Sequence, residues 1–275
     1  MPMRPALVRR TALAASAVCL ALLATACGGS DPDGGSDKGG DGTKAGKADE
    51  KAAAQPAVKA KTAAELDELA LAEGDVKDHE IQKVGAGEAP DSGDIKVDKA
   101  GCEPLAHAMT GVRVGEPAAT AQRGVSQKAK KPAEPSLDEL AEMTEEEIAE
   151  AFIGALDMTM TTVSLSSYDG AGAEQALADL RTAATDCGGG FTSTAPRDKR
   201  KVTGITEEKV TGGEESAAWT LTTDMEGDVV SVKLAVVRQG GTLASFVSLN
   251  LASASGKKDY PLPTAVIDAQ LAKLG

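Results

Sequence analysis

Aromatic residues are scarce in this chain: one tryptophan, two tyrosines and three phenylalanines in 275 residues. Its core must therefore be assembled from Val, Leu, Ile and Ala. Histidine is scarcer still. His79 and His107 lack the spacing of metal ligands, and they leave only two candidate bases for a Ser-His-Asp site. His107 sits among apolar residues close to Cys102 and reads as structural. Motifs that announce chemistry are missing: there is no G-x-S-x-G elbow, H-E-x-x-H pair, Walker loop or S-x-x-K. Ser126 and Ser166 have no motif around them, and Gly170-Ala-Gly172 is too little for a dinucleotide site. Carboxylates are abundant, so the sequence leaves a paired acid–base site open. We expect no catalytic residue, no cofactor and no metal.

Positive charge is also in deficit. The chain carries 29 Lys and Arg against 42 Asp and Glu, a net charge of −13. Such a surface repels nucleic acid and anionic lipid head groups, and favours solubility and cationic partners.

What is present begins at the N-terminus. Arg4, Arg9 and Arg10 precede an acid-free run from Thr11 to Ala26. That is the layout of a secretory signal peptide. The run is shorter than the ~20 residues of a permanent span. It ends in Leu22-Leu23-Ala24-Thr25-Ala26-Cys27, where small residues before a cysteine look like a lipobox. We expect cleavage after residue 26 and a diacylglyceryl group on Cys27. Two acyl chains anchor stably where one is marginal. Cys19 lies in the same run, but Val18 before it is too bulky for cleavage. Arg9-Arg10 leaves Sec and twin-arginine export both open. Losing the three arginines would deepen the net charge by three.

Residues 27–61 are Gly, Ala, Asp and Lys with almost no large apolar side chain, so they cannot build a core. Six acids and six lysines balance there. We expect a flexible tether, with an end-to-end distance of roughly 30 Å. Asp31-Pro32-Asp33-Gly34 superficially suggests a calcium loop, but it lacks the twelfth-position Glu and Pro32 intrudes.

With Cys19 removed and Cys27 lipidated, Cys102 and Cys187 remain, an even pair in an oxidising compartment. Each lies on an apolar helical face, Cys102 with Leu105, Ala106 and Met109, and Cys187 with Leu177, Leu180 and Ala184. We expect a structural disulfide, contributing about 4–5 kcal/mol in the chain-entropy model.

Residues 62–275 read as one domain. Thr62-Ala-Ala-Glu65 is a capping box opening a helix. A strand is expected within 75–85, a polar loop over 86–100, a helix from Gly101 to Met109 and a strand over 118–125. Residues 128–156 form an acidic helical insertion, with eight acids and no base between Glu134 and Glu150. Ser136–Glu139 and Thr144–Glu147 each fit a capping box. A strand over 157–168, a helix over 171–186 and a Gly188-Gly189-Gly190 stop follow. Four more strands (201–210, 217–224, 229–238 and 243–251) with short Gly turns form an antiparallel meander. A helix over 263–274 closes the chain. The fold class is α+β: an antiparallel sheet of about five to seven strands flanked by helices.

Several segments carry a family resemblance. They are Thr62-Ala-Ala-Glu-Leu66 leading to Gly74-Asp75-Val76, Cys102-Glu-Pro-Leu-Ala106, Val163-Ser-Leu-Ser-Ser-Tyr168, Ala173-Glu-Gln-Ala-Leu177-Ala-Asp-Leu180-Arg181 and Cys187-Gly-Gly-Gly-Phe191. Their order resembles actinobacterial sensor-type lipoproteins, similar to the extracellular PknH-like sensor domain of mycobacterial Ser/Thr kinases. The resemblance implies a sheet flanked by helices, a cleft, and sensing of a ligand or partner outside the membrane. This chain departs from it in having one candidate disulfide rather than two, and in the acidic insertion. No ligand residue carries over.

The expected function is that of an extracytoplasmic lipoprotein with a non-catalytic, sensor-like binding domain. Its partners would be the membrane, through the lipid anchor, and an unknown ligand or envelope protein, with no nucleic acid. Two other readings stand beside it: an adaptor docking a basic envelope protein through the acidic 134–150 helix, and a carrier of lipid or another apolar ligand. Cys27→Ala should abolish labelling by tritiated palmitate and release the chain from the membrane fraction; persistent labelling would contradict lipidation at Cys27.

Overall fold

The residue pattern of one strand sets the architecture. Strand β8 (Asp228–Gln239) is buried continuously from Val232 to Val237. Val232, Leu234 and Val236 enter one hydrophobic cluster, while Ala235 and Val237 enter another. A strand buried on both faces reads as an unbroken apolar run, and its sheet needs cover on both sides.

The computed structural model describes residues 58–85, 91–128, 142–195, 198–225, 227–255 and 259–275. The expected signal peptide, Cys27 and nearly all of the tether lie outside them, as does the Ser136–Glu139 capping box. The remaining strands are β1 (His79–Lys83), β2 (Lys96–Val97), β3 (Ala119–Gln127), β4 (Thr159–Ser167), β5 (Phe191–Ala195), β6 (Asp198–Glu208), β7 (Glu215–Met225) and β9 (Thr242–Asn250). They form one sheet of nine strands in the order β1-β3-β4-β9-β8-β7-β6-β5-β2. Every neighbouring pair is antiparallel.

The helices are α1 (Ala63–Leu69), α2 (Glu103–Met109), α3 (Glu145–Ala155), α4 (Gly172–Asp186) and α5 (Thr264–Leu274). Helices α2 and α4 cover one face, with Leu105, Met109, Leu177 and Leu180 packed over Trp219, Leu221, Leu234 and Val236. On the other face, Leu66 of α1 and Val266 and Ile267 of α5 pack over Val163, Leu165, Ala235, Val237 and Phe246.

The expected sheet of five to seven strands is corrected to nine. The additional strands are β2, two residues within the segment read as a polar loop, and β5, whose sequence Phe-Thr-Ser-Thr-Ala follows the Gly188–Gly190 stop. Neither has an apolar alternation long enough to show, and both gain their order by pairing at the sheet margin. The β3–β4 connection contains the acidic segment. Ser126 pairs directly with Met160, so β3 and β4 lie side by side where the chain leaves one and enters the other. Within the connection Thr144 and Glu147 make a reciprocal capping box at the start of α3, which packs against the short turn Leu251–Ser255.

A disulfide joins Cys102, at the entry to α2, to Cys187, at the exit of α4, with a Cα–Cα distance of 5.9 Å. Both cysteines lie inside the α2/α4 cluster. Beyond Cys187 the chain must reverse into β5. Gly190 makes the turn with φ of +87°, and a Cβ there would stand 2.4 Å from the carbonyl oxygen of Val202. The bridge closes a separation of 85 residues. Replacing both cysteines by serine should therefore lower unfolding stability by up to about 4–5 kcal/mol, read from the denaturant midpoint; an unchanged midpoint would contradict a stabilising role.

Candidate functional site

The β1 edge of the sheet holds the candidate site. Strand β1 pairs with β3 only from Arg123 to Gln127, with one further bond from Val84 N–H to the Gln122 carbonyl. Among the described residues, Ala119–Ala121 of β3 have no strand on that side. An open cleft of about 530 Å³ forms there. One wall is α1, through Ala63, Ala64 and Asp67; the other is the turn after α2, Gly111-Val112-Arg113. Thr120 and Gln122 of β3 and Ser164 and Ser166 of β4 form its floor, and Lys83 and Asp91 contribute at the side.

Local chemistry explains why the walls stand where they do. Thr62 caps α1: its hydroxyl accepts from Glu65 N–H, while Thr62 N–H donates to the Glu65 carboxylate at 2.7 Å. That fixes the entry of the helix. Arg123 then clamps α1 to the sheet. Its guanidinium donates to the Leu71 carbonyl at 2.9 Å, to the Asp67 carbonyl at 3.0 Å and to the Asp67 carboxylate at 2.8 Å. A fourth bond goes to the Gln122 carbonyl. Lys83 donates to the second oxygen of Asp67 at 2.8 Å. Hydrogen bonds from Lys83 and then Arg123 hold the Asp67 carboxyl below its usual range. Gln270 of α5 holds the end of α1 from beneath, accepting from Leu71 N–H and donating to the Leu69 carbonyl.

On the opposite wall, Gln122 donates to the Gly111 carbonyl and to Ser164 Oγ. Gly111 turns the chain out of α2 with φ of +74°, and a Cβ there would press on Thr162 at 3.3 Å. Deeper in, Tyr168 donates to the Val114 carbonyl at 2.7 Å; burial pushes its phenol up to about 12. These bonds leave the cleft with a preformed, polar floor.

A second hollow of about 440 Å³ adjoins the first and shares Arg113 and Thr120 with it, adding Ser92, Gly115 and Glu116. Of the residues weighed from sequence as candidates for chemistry, Ser166 lines the cleft, and Ala63, Ala64 and Ser164 come to it from the segments that carry the resemblance. The Cys102–Cys187 bridge lies in the core, beneath α2 and α4. His79 approaches the Lys77 carbonyl, and His107 is buried 3.7 Å from Glu103. Burial pushes the His107 imidazole down, against the pull of Glu103. Among the described residues neither histidine is hydrogen-bonded to a serine hydroxyl, no three His, Cys, Asp or Glu side chains converge to hold a metal, and no helix is long and apolar enough to cross a membrane.

Sequence reasoning missed Lys83, Gln122, Arg123 and Arg113. One signal was available. Ala121, Arg123 and Val125 share a face at strand period, which places an arginine among inward-facing residues.

No protein-family model matches this chain, and no curated protein matches it. Among solved structures, it is similar to the extracellular domain of PknH from Mycobacterium tuberculosis, at 11% identity and a TM-score of 0.43, over 78% of this chain and 95% of that one.

Arg123→Met should leave the Leu71 and Asp67 carbonyls without this donor, at a cost of about 1–3 kcal/mol for a buried acceptor left unsatisfied. Hydrogen exchange should accelerate in α1 more than in β8; equal acceleration in both would contradict a local clamp.

Proposed function

We propose that this protein is an exported lipoprotein, held on the outer face of the cytoplasmic membrane through Cys27, whose domain of residues 62–275 binds a small polar ligand in the β3-edge cleft without transforming it. The observation that carries the reading is the cleft itself. Its floor consists of Gln122, Ser164, Ser166 and Thr120, and its walls are fixed by the Arg123 and Gln122 hydrogen bonds. Concave sites with a few placed polar groups on a rigid scaffold are the usual form of small-molecule sites. A sensor would use the same arrangement, with ligand contacts reaching both α1 and the turn after α2.

The polar floor does not favour the apolar-carrier reading, since burying hydroxyls and amides against hydrocarbon without partners is costly. The adaptor reading rests on the acidic segment, part of which lies outside the described residues.

The test uses Ala64, an exposed residue of α1 that faces the cleft. A thermal-shift screen of the full chain against polar envelope metabolites should give stabilising hits, and Ala64→Phe should remove them without lowering the ligand-free melting temperature. Hits that survive Ala64→Phe would overturn the assignment of the cleft.

A further inference from the structure

The clefts at the β3 edge are polar, and one of their charged groups is a cation that makes no ion pair among the described residues. In a chain with 42 acidic residues, a cation would be expected to find a carboxylate. Four of the five described arginines have partners. Arg123 is held by Asp67, Arg181 by Glu215, and Arg238 by Glu214 and Glu215. Arg200 also makes an interaction. Arg113 is exposed and makes no ion pair or hydrogen bond among the described residues. It lines both hollows, at the seam they share.

Its position is set rather than free. The preceding residue, Val112, is buried and its N–H donates to the His107 carbonyl at 2.9 Å. The following residue, Val114, is buried and its carbonyl accepts from Tyr168. The backbone on either side of Arg113 is therefore pinned, and the guanidinium projects from a fixed root. His107 lies close enough for the guanidinium charge to oppose its protonation.

The rest of the lining narrows the ligand. No aromatic ring lines either hollow, so there is no platform on which a nucleobase could stack. Hydroxyls and an amide are close by in Thr120, Gln122, Ser164 and Ser166. Two acids, Asp91 and Glu116, also line the hollows. Neither makes an ion pair with Arg113, and in the short turn Ser92–Asp94 the Asp91 N–H donates to the Asp94 carboxylate. On the far wall, Lys83 and Arg123 share the single carboxylate of Asp67, leaving that cluster one positive charge in excess.

From this placement we infer that Arg113 is the specificity residue of the cleft, and that it receives the carboxylate or phosphate of a small hydroxylated ligand. A guanidinium presents paired donors that match both oxyanions bidentately. The inference rests on the cleft reading and adds the ligand's charge to it.

The experiment follows backbone amide shifts of the isotope-labelled full chain with three probes: inorganic phosphate, glucuronate and glucose. Phosphate or glucuronate should perturb residues 111–120, with glucose at least tenfold weaker, and added salt should weaken the anions but not glucose. Phosphate against glucuronate separates the two oxyanion sources. Arg113→Gln should weaken the anions at least tenfold, and Arg113→Lys should retain part of the binding. Equal binding of glucose and glucuronate in the cleft would overturn the inference while leaving the cleft reading intact. Anion binding unaltered in Arg113→Gln, or no perturbation of residues 111–120 by either anion, would overturn it as well. Failure of the cleft reading shows separately, as ligand binding that persists in Ala64→Phe.

Discussion

Burial of the central strands on both faces is the constraint on which the domain depends. With so few aromatics, β7, β8 and β9 present Val, Leu and Ala to both sides, and each side must be sealed by short helices. A seven-residue helix such as α1 or α2 is too short to be stable alone in water. Each is therefore tied down. The α2/α4 pair is tied covalently through Cys102 and Cys187, and the α1/α5 pair through the buried amide of Gln270 and the guanidinium of Arg123. The two faces solve one problem with different chemistry.

The same fastenings place the cleft. It opens where β1 stops short of the full length of β3 and where α1 and the turn after α2 approach from opposite sides of the sheet. Two neighbours on β3 hold the two walls: Arg123 faces the α1 layer and Gln122 faces the α2 layer. Stability and the geometry of the candidate site are thus linked through two adjacent residues. The rest of the β1 edge is less open: the N–H of Ile81 donates to the carboxylate of Glu73, a side-chain cover of the kind that discourages edge-to-edge pairing.

Much of the scaffold was legible because its signals are local. The Thr62–Glu65 box, the helix over 171–186 and the meander with its Gly turns all follow from spacing within a few residues. The disulfide was legible from parity and helical faces. Strands β2 and β5 were not, since their order comes from partners rather than their own composition. Helix α5 shows the same limit: Val266, Ile267 and Gln270 face inward, and a glutamine on that face is visible only once Leu69 and Leu71 lie opposite. The cleft was the least legible feature. Lys83, Arg113, Gln122 and Ser164 are scattered over more than eighty residues, and no local pattern marks residues that meet only when a sheet edge is left uncovered.

The central claim is that this edge, which no strand covers among the described residues, is where ligand binds. Hydrogen exchange of the full chain, with and without the small-molecule fraction of a bacterial envelope extract, tests it most directly. The account predicts protection concentrated at residues 62–67, 111–113, 119–122 and 164–166. Protection confined to α3 or to the β5–β2 margin, with the cleft unchanged, would contradict it.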